Sequence, residues 1–286
     1  MSGRLQGKTA VITGTGGGQG RVAALRFAAE GARVLGCDLK AEDSEETVRL
    51  VRAAGGEMES LHPLDLSDEG AVQQLMGTAR ELFGGLDILY NNAGGVRLGT
   101  IEGTSKEDFE FTLTNELTIV FLAVKHALPL FRERGGGSIV NTASIAGVRG
   151  GWSIAGNLPG LFAHCVSKAG LIRMTEVMAV ELAPLGIRVN TISPGAILTP
   201  GTEPFLGDPE VGAAFEASAL VPRVGEPDDI VNAAVYLASD EATFATGSNF
   251  VIDGGWVASG GGGVADPEVQ AAVDRALPGF LRYSNA

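Results

Sequence analysis

Several residue types are scarce in this sequence. Among its 286 residues there are two cysteines, three tyrosines and three histidines. Two cysteines cannot form a disulfide framework, so we expect Cys37 and Cys165 to be reduced thiols in apolar surroundings. Basic residues are also in the minority, with 21 against 34 acidic ones, and the net charge of −13 would repel nucleic acids and anionic membrane surfaces.

Long hydrophobic runs are lacking as well. The apolar segment at residues 117–124 is followed at once by Lys125 and His126, so it is too short to cross a membrane. The N-terminal residues do not have the apolar stretch that is typical of a signal peptide. The sequence therefore predicts a cytoplasmic protein with no membrane or nucleic-acid partner.

Glycine is abundant instead, at 42 residues, and short β-branched segments alternate with longer helical patterns. This alternation indicates βαβ units and predicts an α/β fold with one doubly wound parallel sheet of the Rossmann type. Ligands of such a sheet bind beyond the carboxyl ends of its strands. The predicted strands are residues 9–13, 33–37, 57–61, 88–90, 138–142, 188–192 and 249–252.

No linker rich in proline, serine or charge divides the sequence. We therefore predict one domain over residues 1–259, with an irregular glycine-rich segment at 148–163, and a C-terminal tail over 260–286. Within the tail, Asp266, Pro267 and Glu268 resemble the start of a helix. They predict a short helix over residues 267–277.

A glycine-rich turn at residues 14–20 directly follows the first predicted strand and leads into a helical pattern. Unpaired N–H groups and the positive end of the helix dipole meet at such a turn, which favours binding of a pyrophosphate. Asp38 ends the second strand, where a carboxylate binds an adenosine ribose 2′-hydroxyl and repels a 2′-phosphate. Although Lys40 is near, this aspartate favours NAD over NADP.

Five motifs in this order resemble those of the classical short-chain dehydrogenase/reductase family, from about Leu5 to Trp256. They are the turn with Thr13, Gly14, Gly18 and Gly20; Leu64-Asp65-Leu66; Asn91-Asn92-Ala93-Gly94; Ser193-Pro194-Gly195 with Thr199; and Ile252-Asp253-Gly254-Gly255. The resemblance implies a single Rossmann-type domain, a nicotinamide cofactor and usually a homotetramer. It implies cofactor contacts from Gly14, Gly18, Gln19, Gly20, Asp38, Leu39, Asp65, Leu66, Asn92, Ala93, Gly94, Lys168, Pro194, Gly195, Ile197 and Thr199.

The resemblance also implies catalytic positions. In that family a tyrosine four residues before a lysine exchanges the proton of the substrate oxygen, a serine polarises this oxygen and an asparagine holds a water. Asn115, Ser144 and Lys168 match the asparagine, serine and lysine, but His164 stands at the tyrosine position. Ser144 and His164 are also about seven residues further apart than is usual for the family, which predicts an insertion within residues 148–163.

Three interpretations of His164 remain open. In the leading one it replaces the tyrosine as acid/base, because an imidazole exchanges protons near neutral pH. Lys168 nearby would favour the neutral ring, and hence oxidation of an alcohol over reduction of a ketone. In the second interpretation the site performs non-redox or otherwise unusual chemistry. In the third the protein is catalytically inactive, binds NAD, and uses His164 only for packing or hydrogen bonding at a helix start.

Apolar residues of the insertion and of the segment after Pro194 are expected to line the substrate pocket. The predicted substrate contacts are the catalytic Ser144 together with Trp152, Phe162 and Phe205. Such a lining predicts a medium-sized apolar secondary alcohol or its ketone as the substrate, and no metal site is predicted. Two helical patterns, at about residues 108–132 and 164–183, are apolar on more than one face, which is consistent with packing between subunits of a homotetramer.

Overall fold

A seven-stranded parallel sheet forms the centre of the protein, seen in a computed structural model that describes residues 3–150 and 160–260 together with residues 271 and 275. The strands follow the order β3-β2-β1-β4-β5-β6-β7. They are β1 (Thr9–Thr13), β2 (Arg33–Cys37), β3 (Glu57–Leu61), β4 (Ile88–Asn91), β5 (Gly137–Thr142), β6 (Ile187–Pro194) and β7 (Asn249–Ile252). All seven predicted strands are confirmed, and so is the α/β class with a doubly wound parallel sheet.

The strands are apolar because helices cover both faces of the sheet. Every residue of β1 is buried. Since successive side chains point to opposite faces, Val11 packs into one hydrophobic layer and Ala10 and Ile12 into the other. Register is regular across the centre of the sheet, where Val11 pairs with Leu35 of β2 and Leu89 of β4.

Nine α-helices lie within the described residues. They are α1 (Gly18–Ala29), α2 (Ala41–Ala53), α3 (Glu69–Phe83), α4 (Lys106–Leu113), α5 (Ile119–Arg134), α6 (Phe162–Leu182), α7 (Glu203–Leu206), α8 (Pro209–Ser218) and α9 (Pro227–Ala238). Residues of α3, α5 and α6 form the core on one face of the sheet. Residues of α1 and α9 form the core on the other face. No helix of this described part is long and apolar enough to span a membrane.

Two elements differ from a simple alternation of strands and helices. Between α4 and α5 the chain makes a single π-helical turn over Thr114–Thr118, so the helical pattern predicted near 108–132 is two helices joined by this turn. After β5 a 3₁₀ turn, Ile145–Gly147, leads towards the glycine-rich segment. Both turns lie at the carboxyl end of the sheet, where ligands of this architecture bind.

The glycine-rich segment before α6 is described only at its two ends. At its C-terminal end, the amide of Gly99 donates to the carbonyl of Gly160 at 2.8 Å, and the amide of Phe162 donates to the carbonyl of Gly99 at 3.3 Å. These bonds fix the first turn of α6 against the loop after β4. Residues 151–159 lie outside the described part, as does the helix predicted over 267–277 except for residues 271 and 275.

Candidate active site

The glycine-rich turn between β1 and α1 packs so closely that side chains are excluded at two positions. Gly14 has a φ of +75°, and a β-carbon there would lie 2.9 Å from the Cα of Ala93. A β-carbon at Gly20 would lie 1.9 Å from the carbonyl oxygen of Gly14. Gly20 therefore allows α1 to begin directly behind the turn, with its N–H groups directed at the cleft.

Asp38 closes one end of this cleft. Its carboxylate accepts hydrogen bonds from the amide of Gly16 at 2.8 Å and the amide of Lys40 at 2.9 Å. Arg21 is a cation at the same end that the sequence analysis did not identify. Its guanidinium donates to the carbonyl of Gly16 at 2.5 Å and to the hydroxyl of Thr47 at 2.9 Å. Arg21 therefore connects the glycine turn to α2.

The middle of the cleft is held by Thr13. Its hydroxyl accepts hydrogen bonds from the amides of Asn92 and Ala93, each at 3.0 Å, which ties the end of β4 to the end of β1. Most of the predicted cofactor residues line this one cleft of about 480 Å³: Gly14, Gly18, Gln19, Asp38, Leu39, Asp65, Leu66, Asn92, Ala93, Gly94 and Thr199. Asn115 lines it too.

A second cavity of about 570 Å³ adjoins the cleft, and Gln19, Asn92, Gly94 and Thr199 line both. Its volume is within the usual range for small-molecule sites. Ser144, His164 and Lys168 lie together on its wall. The other predicted residues found here are Pro194, Gly195, Ile197 and Phe205. Its apolar lining includes Val96, Leu98, Leu161, Pro204, Val211 and Phe215.

Two predicted substrate contacts are not placed in this cavity. Phe162 is the first residue of α6, and its ring stacks on Phe109 with centroids 5.9 Å apart. It is not part of the cavity wall, because the first turn of α6 directs it towards α4; Leu161, one residue earlier, lies on the wall instead. Trp152 lies outside the described residues.

Ser144 and Lys168 are held by neighbouring backbone groups. The hydroxyl of Ser144 accepts a hydrogen bond from the amide of Ala146 at 3.1 Å, so its proton is free to be donated into the cavity. The ammonium of Lys168 donates to the carbonyl of Thr142, at the end of β5, at 3.0 Å. Burial lowers the pKa of Lys168 and Glu116 partly offsets this effect.

Glu116 is a buried carboxylate that the sequence analysis missed. It lies in the π-helical turn and is 4% exposed. Its oxygens are 2.8 and 3.0 Å from Nδ1 of His164, the hydroxyl of Ser167 donates to it, and its Oε1 is 3.8 Å from Nζ of Lys168. Burial opposes its charge, but Lys168, His164 and Ser167 outweigh that effect and hold the pKa of Glu116 below its usual value.

This carboxylate changes the electrostatics expected around His164. From the sequence, Lys168 is the charge expected near His164. Glu116 adds a charge of opposite sign, with a carboxylate oxygen 2.8 Å from Nδ1 of the ring. The expected preference for oxidation therefore does not follow from Lys168 alone.

None of the tyrosines that the structure describes takes the place of His164. Tyr90 is fully buried between the layers, where its ring stacks on Phe27. Burial raises the pKa of Tyr90 to about 12, against a lowering effect of its hydrogen bond with Thr142. Tyr236 lies on α9, on the opposite face of the sheet from α6. Among the described residues, this wall therefore carries the imidazole of His164 and no tyrosine.

The chain is similar to known reductases and dehydrogenases. Residues 14–257 match a protein family described as enoyl-(acyl carrier protein) reductase. The chain is 39% identical over 256 residues to 2,5-dichloro-2,5-cyclohexadiene-1,4-diol dehydrogenase of Sphingobium indicum, which covers 90% of this chain and 98% of that protein. It is 34% identical to cyclopentanol dehydrogenase of a Comamonas strain, over 90% of this chain and 100% of the relative. The solved structure of 7α-hydroxysteroid dehydrogenase with NADH and 7-oxo glycochenodeoxycholic acid superposes with a TM-score of 0.82 at 30% identity, covering 92% of this chain and 96% of that one.

Proposed function

The chain belongs to the short-chain dehydrogenase/reductase family, and we propose that it is an NAD-dependent dehydrogenase that interconverts an apolar secondary alcohol and its ketone, with His164 as the acid/base. One observation carries this proposal. Ser144, His164 and Lys168 line one apolar cavity that adjoins the cleft of the glycine turn and Asp38. A proton-exchanging group, a polarising hydroxyl and a cofactor cleft are what such a reaction needs.

The cleft fits a dinucleotide. Close packing at Gly14 and Gly20 leaves room for a pyrophosphate beside the turn, and a β-carbon at Gly17 would meet nothing within 4 Å. Asp38 would bind the adenosine ribose, which supports NAD over NADP. Asp65, Leu66, Asn92 and Gly94 would meet the adenosine side. Lys168, Gly195 and Thr199 would hold the nicotinamide half. When bound, NAD would supply the hydride acceptor for oxidation.

The remaining steps belong to the side chains of this chain. Ser144 would donate a hydrogen bond from its hydroxyl to the substrate oxygen and so hold this oxygen in place. His164 would take the proton of the alcohol as the carbonyl forms, or return it in the opposite direction. Lys168 would add positive charge beside the reacting groups, and Asn115 would hold a water at the cofactor end. Because an imidazole is shorter than a phenol, the substrate oxygen has to lie closer to α6, or a water has to bridge the gap.

The cavity lining supports a cyclic substrate. Leu161, Phe205 and Phe215 contribute apolar surface to the cavity that Ser144 and His164 also line. Among the described lining residues, Lys168 is the one lysine or arginine that could pair with a phosphate or carboxylate. Two relatives are named for cyclic alcohols, cyclopentanol and a dichlorinated cyclohexadienediol. We therefore infer that the substrate is an apolar secondary alcohol with a ring of about the size of cyclopentanol or cyclohexanol.

We also infer that the protein acts in the cytoplasm as a homotetramer. Valines on α6 and Phe121 on α5 are exposed on the surface of one protomer. These are the two helices that the sequence predicts to be apolar on more than one face. Large apolar side chains exposed in this way are typical of an interface between subunits.

The test is turnover of cyclopentanol, cyclohexanol and larger cyclic secondary alcohols with NAD between pH 6 and 10, followed by NADH absorbance. We expect activity in the wild type and a loss of about 10²-fold or more in kcat for His164→Ala, the usual contribution of an acid/base residue. His126→Ala is the matched control, because His126 pairs with Glu69 on the surface and should retain full activity.

A non-redox or inactive NAD-binding protein is the alternative, and the same experiment separates it. It would bind NAD, seen as a rise in Tm with millimolar cofactor, but oxidise none of the alcohols. If His164→Tyr then creates activity, the wild-type histidine is not a working acid/base. No rise in Tm with either NAD or NADP would contradict both functions.

A further inference from the structure

Among the described residues that line the apolar cavity, Glu116 is the one acidic side chain, and the proposed reaction does not yet use it. Its carboxylate is almost completely removed from water. A buried charge of this kind costs several kcal/mol unless specific partners compensate it. Its partners are all on one helix, α6, at His164, Ser167 and Lys168.

The contact with His164 determines which ring nitrogen carries the proton. An ionised carboxylate only accepts hydrogen bonds, and both of its oxygens lie within 3.0 Å of Nδ1. When the ring is neutral, its one N–H proton must therefore be on Nδ1. The second nitrogen, Nε2, then carries a lone pair, which is the form that can take a proton from an alcohol.

The π-helical turn explains how one short segment supplies both the cleft and the cavity. Asn115 lines the cofactor cleft, whereas Glu116, the next residue, lines the cavity and reaches α6. Single π-helical turns inserted in helices are frequent at functional sites. The side chain of Asn115 is itself held by the carbonyl of Phe111 at 2.9 Å, so the turn is fixed on both sides.

We propose that Glu116 is a positioning residue for His164, which holds the imidazole by its Nδ1 proton, directs Nε2 at the substrate oxygen and stabilises the imidazolium formed when the alcohol is oxidised. This role rests on the proposed function of His164. In the oxidation the O–H bond of the alcohol breaks and an Nε2–H bond forms. Bound oxidised nicotinamide dinucleotide would accept the hydride of the carbinol carbon, and the imidazolium would give its proton to solvent.

A purely structural role is the competing explanation, in which Glu116 only neutralises Lys168 and fills its site. Two facts favour the positioning role. Nζ of Lys168 is 3.8 Å from Oε1 of Glu116, which is longer than a normal hydrogen bond, and it donates a hydrogen bond to the carbonyl of Thr142 instead. The imidazole, at 2.8 Å, is the closer partner. An orienting carboxylate behind a histidine base increases kcat by factors of about 10 to 10⁴ in enzymes that use one.

The first test measures the ring itself and needs neither cofactor nor substrate. With only three histidines in the chain, ¹⁵N NMR of labelled protein can assign His164 by comparison with a His164→Gln sample. We expect the wild-type ring to be protonated at Nδ1 and bare at Nε2. Glu116→Gln, which keeps the shape but loses the charge, should introduce the other tautomer and shift both ring signals. Glu110→Gln, on the exposed side of α4, is the charge-matched control and should leave them unchanged.

The second test measures catalysis. Glu116→Gln should lower kcat for a cyclic alcohol at least tenfold, while KM and the Kd for NAD stay within about threefold, because the substrate and cofactor contacts are retained. Glu116→Asp keeps the charge and should recover part of kcat, and it replaces Glu116→Gln if that variant does not fold. An inactive wild type would refute the proposed function, and the NMR test would still decide the role of Glu116. Ring signals of His164 that are identical in the wild type, in Glu116→Gln and in Glu116→Asp would overturn the inference.

Discussion

Asp38 is the residue on which the proposed preference for NAD depends. Its carboxylate already accepts two backbone N–H bonds, from Gly16 and Lys40, so it is fixed where the adenosine ribose would lie. Charged hydrogen bonds of this kind contribute about 1.5–3 kcal/mol each. Arg21 and Lys40 line the same end of the cleft, and they would attract a 2′-phosphate if the aspartate did not repel it.

Replacement of Asp38 should therefore reverse the cofactor preference. We expect Asp38→Ser to weaken NAD binding about 10- to 100-fold, through loss of the ribose contact, and to strengthen NADP binding. Isothermal titration with both cofactors measures the two Kd values. Asp38→Asn is the control for the structure of the turn, because it can still accept the Gly16 bond. If the ratio of the two Kd values is the same in wild type and Asp38→Asn, charge at this position does not set the preference.

Single residues were predictable from the sequence where a local motif determines them. Asp38 follows a strand at a fixed distance from the glycine turn, and Lys168 lies one helical turn after His164, so their positions follow from the chain order. Glu116 has no such relation, since 48 residues separate it from His164. In the sequence it is an ordinary charge near the start of a helical pattern, and only the packing of the π-helical turn on α6 buries it.

At the scale of elements, the active site depends on close packing between the 3₁₀ turn after β5 and helix α6. A β-carbon at Gly147 would lie 2.5 Å from the carbonyl carbon of Lys168 and 2.7 Å from the amide nitrogen of Ala169. Both are backbone atoms that cannot move aside alone. The glycine thus sets the separation between Ser144, on the turn, and the helix that carries His164 and Lys168.

Gly147→Ala should move α6 away from this turn. We expect a loss of about 1–3 kcal/mol in the free energy of unfolding from overpacking, measured by urea denaturation. We also expect kcat to fall by about tenfold or more, since a displacement of about 1 Å between reacting groups costs on the order of 10²-fold. Gly150→Ala is the matched control three residues later, where a β-carbon would meet nothing within 4 Å. Equal stability and activity of the two variants would refute the spacing role of Gly147.

Strands were more predictable than turns. Short segments that alternate with helical patterns predicted all seven strands, and the only differences are at their ends, as in β6, which continues to Pro194 by pairing with Ile252. The π-helical turn was not predicted, because one extra residue in a helical turn barely changes the apolar periodicity. The direction of the Phe162 side chain was not predictable for a similar reason: it depends on where α6 begins, and helix ends are poorly defined by sequence.

At the scale of the whole molecule, one surface of the protomer is more apolar than a monomer requires. Val166, Val177 and Val180 of α6 are 43%, 48% and 77% exposed, and Phe121 of α5 is 50% exposed. The three valines recur at helical spacing on one side of α6, while Leu171 and Ala179 of the same helix are buried against the sheet. The helix therefore has two apolar faces, and one of them has no partner within the described part of the protomer.

A homotetramer would cover this face, and Val180→Asp tests it. A symmetric interface repeats each substitution in both subunits, so a charge at the most exposed valine would be buried twice and would destabilise the assembly. Light scattering coupled to gel filtration should give the mass of four chains for the wild type and a smaller mass for Val180→Asp, with Tm of the protomer little changed because the side chain is exposed. Leu82→Asp, on α3, where Leu82 is 38% exposed, is the control and should remain a tetramer. A wild type with the mass of one chain, or a Val180→Asp variant with the wild-type mass, would show that this face does not join the subunits.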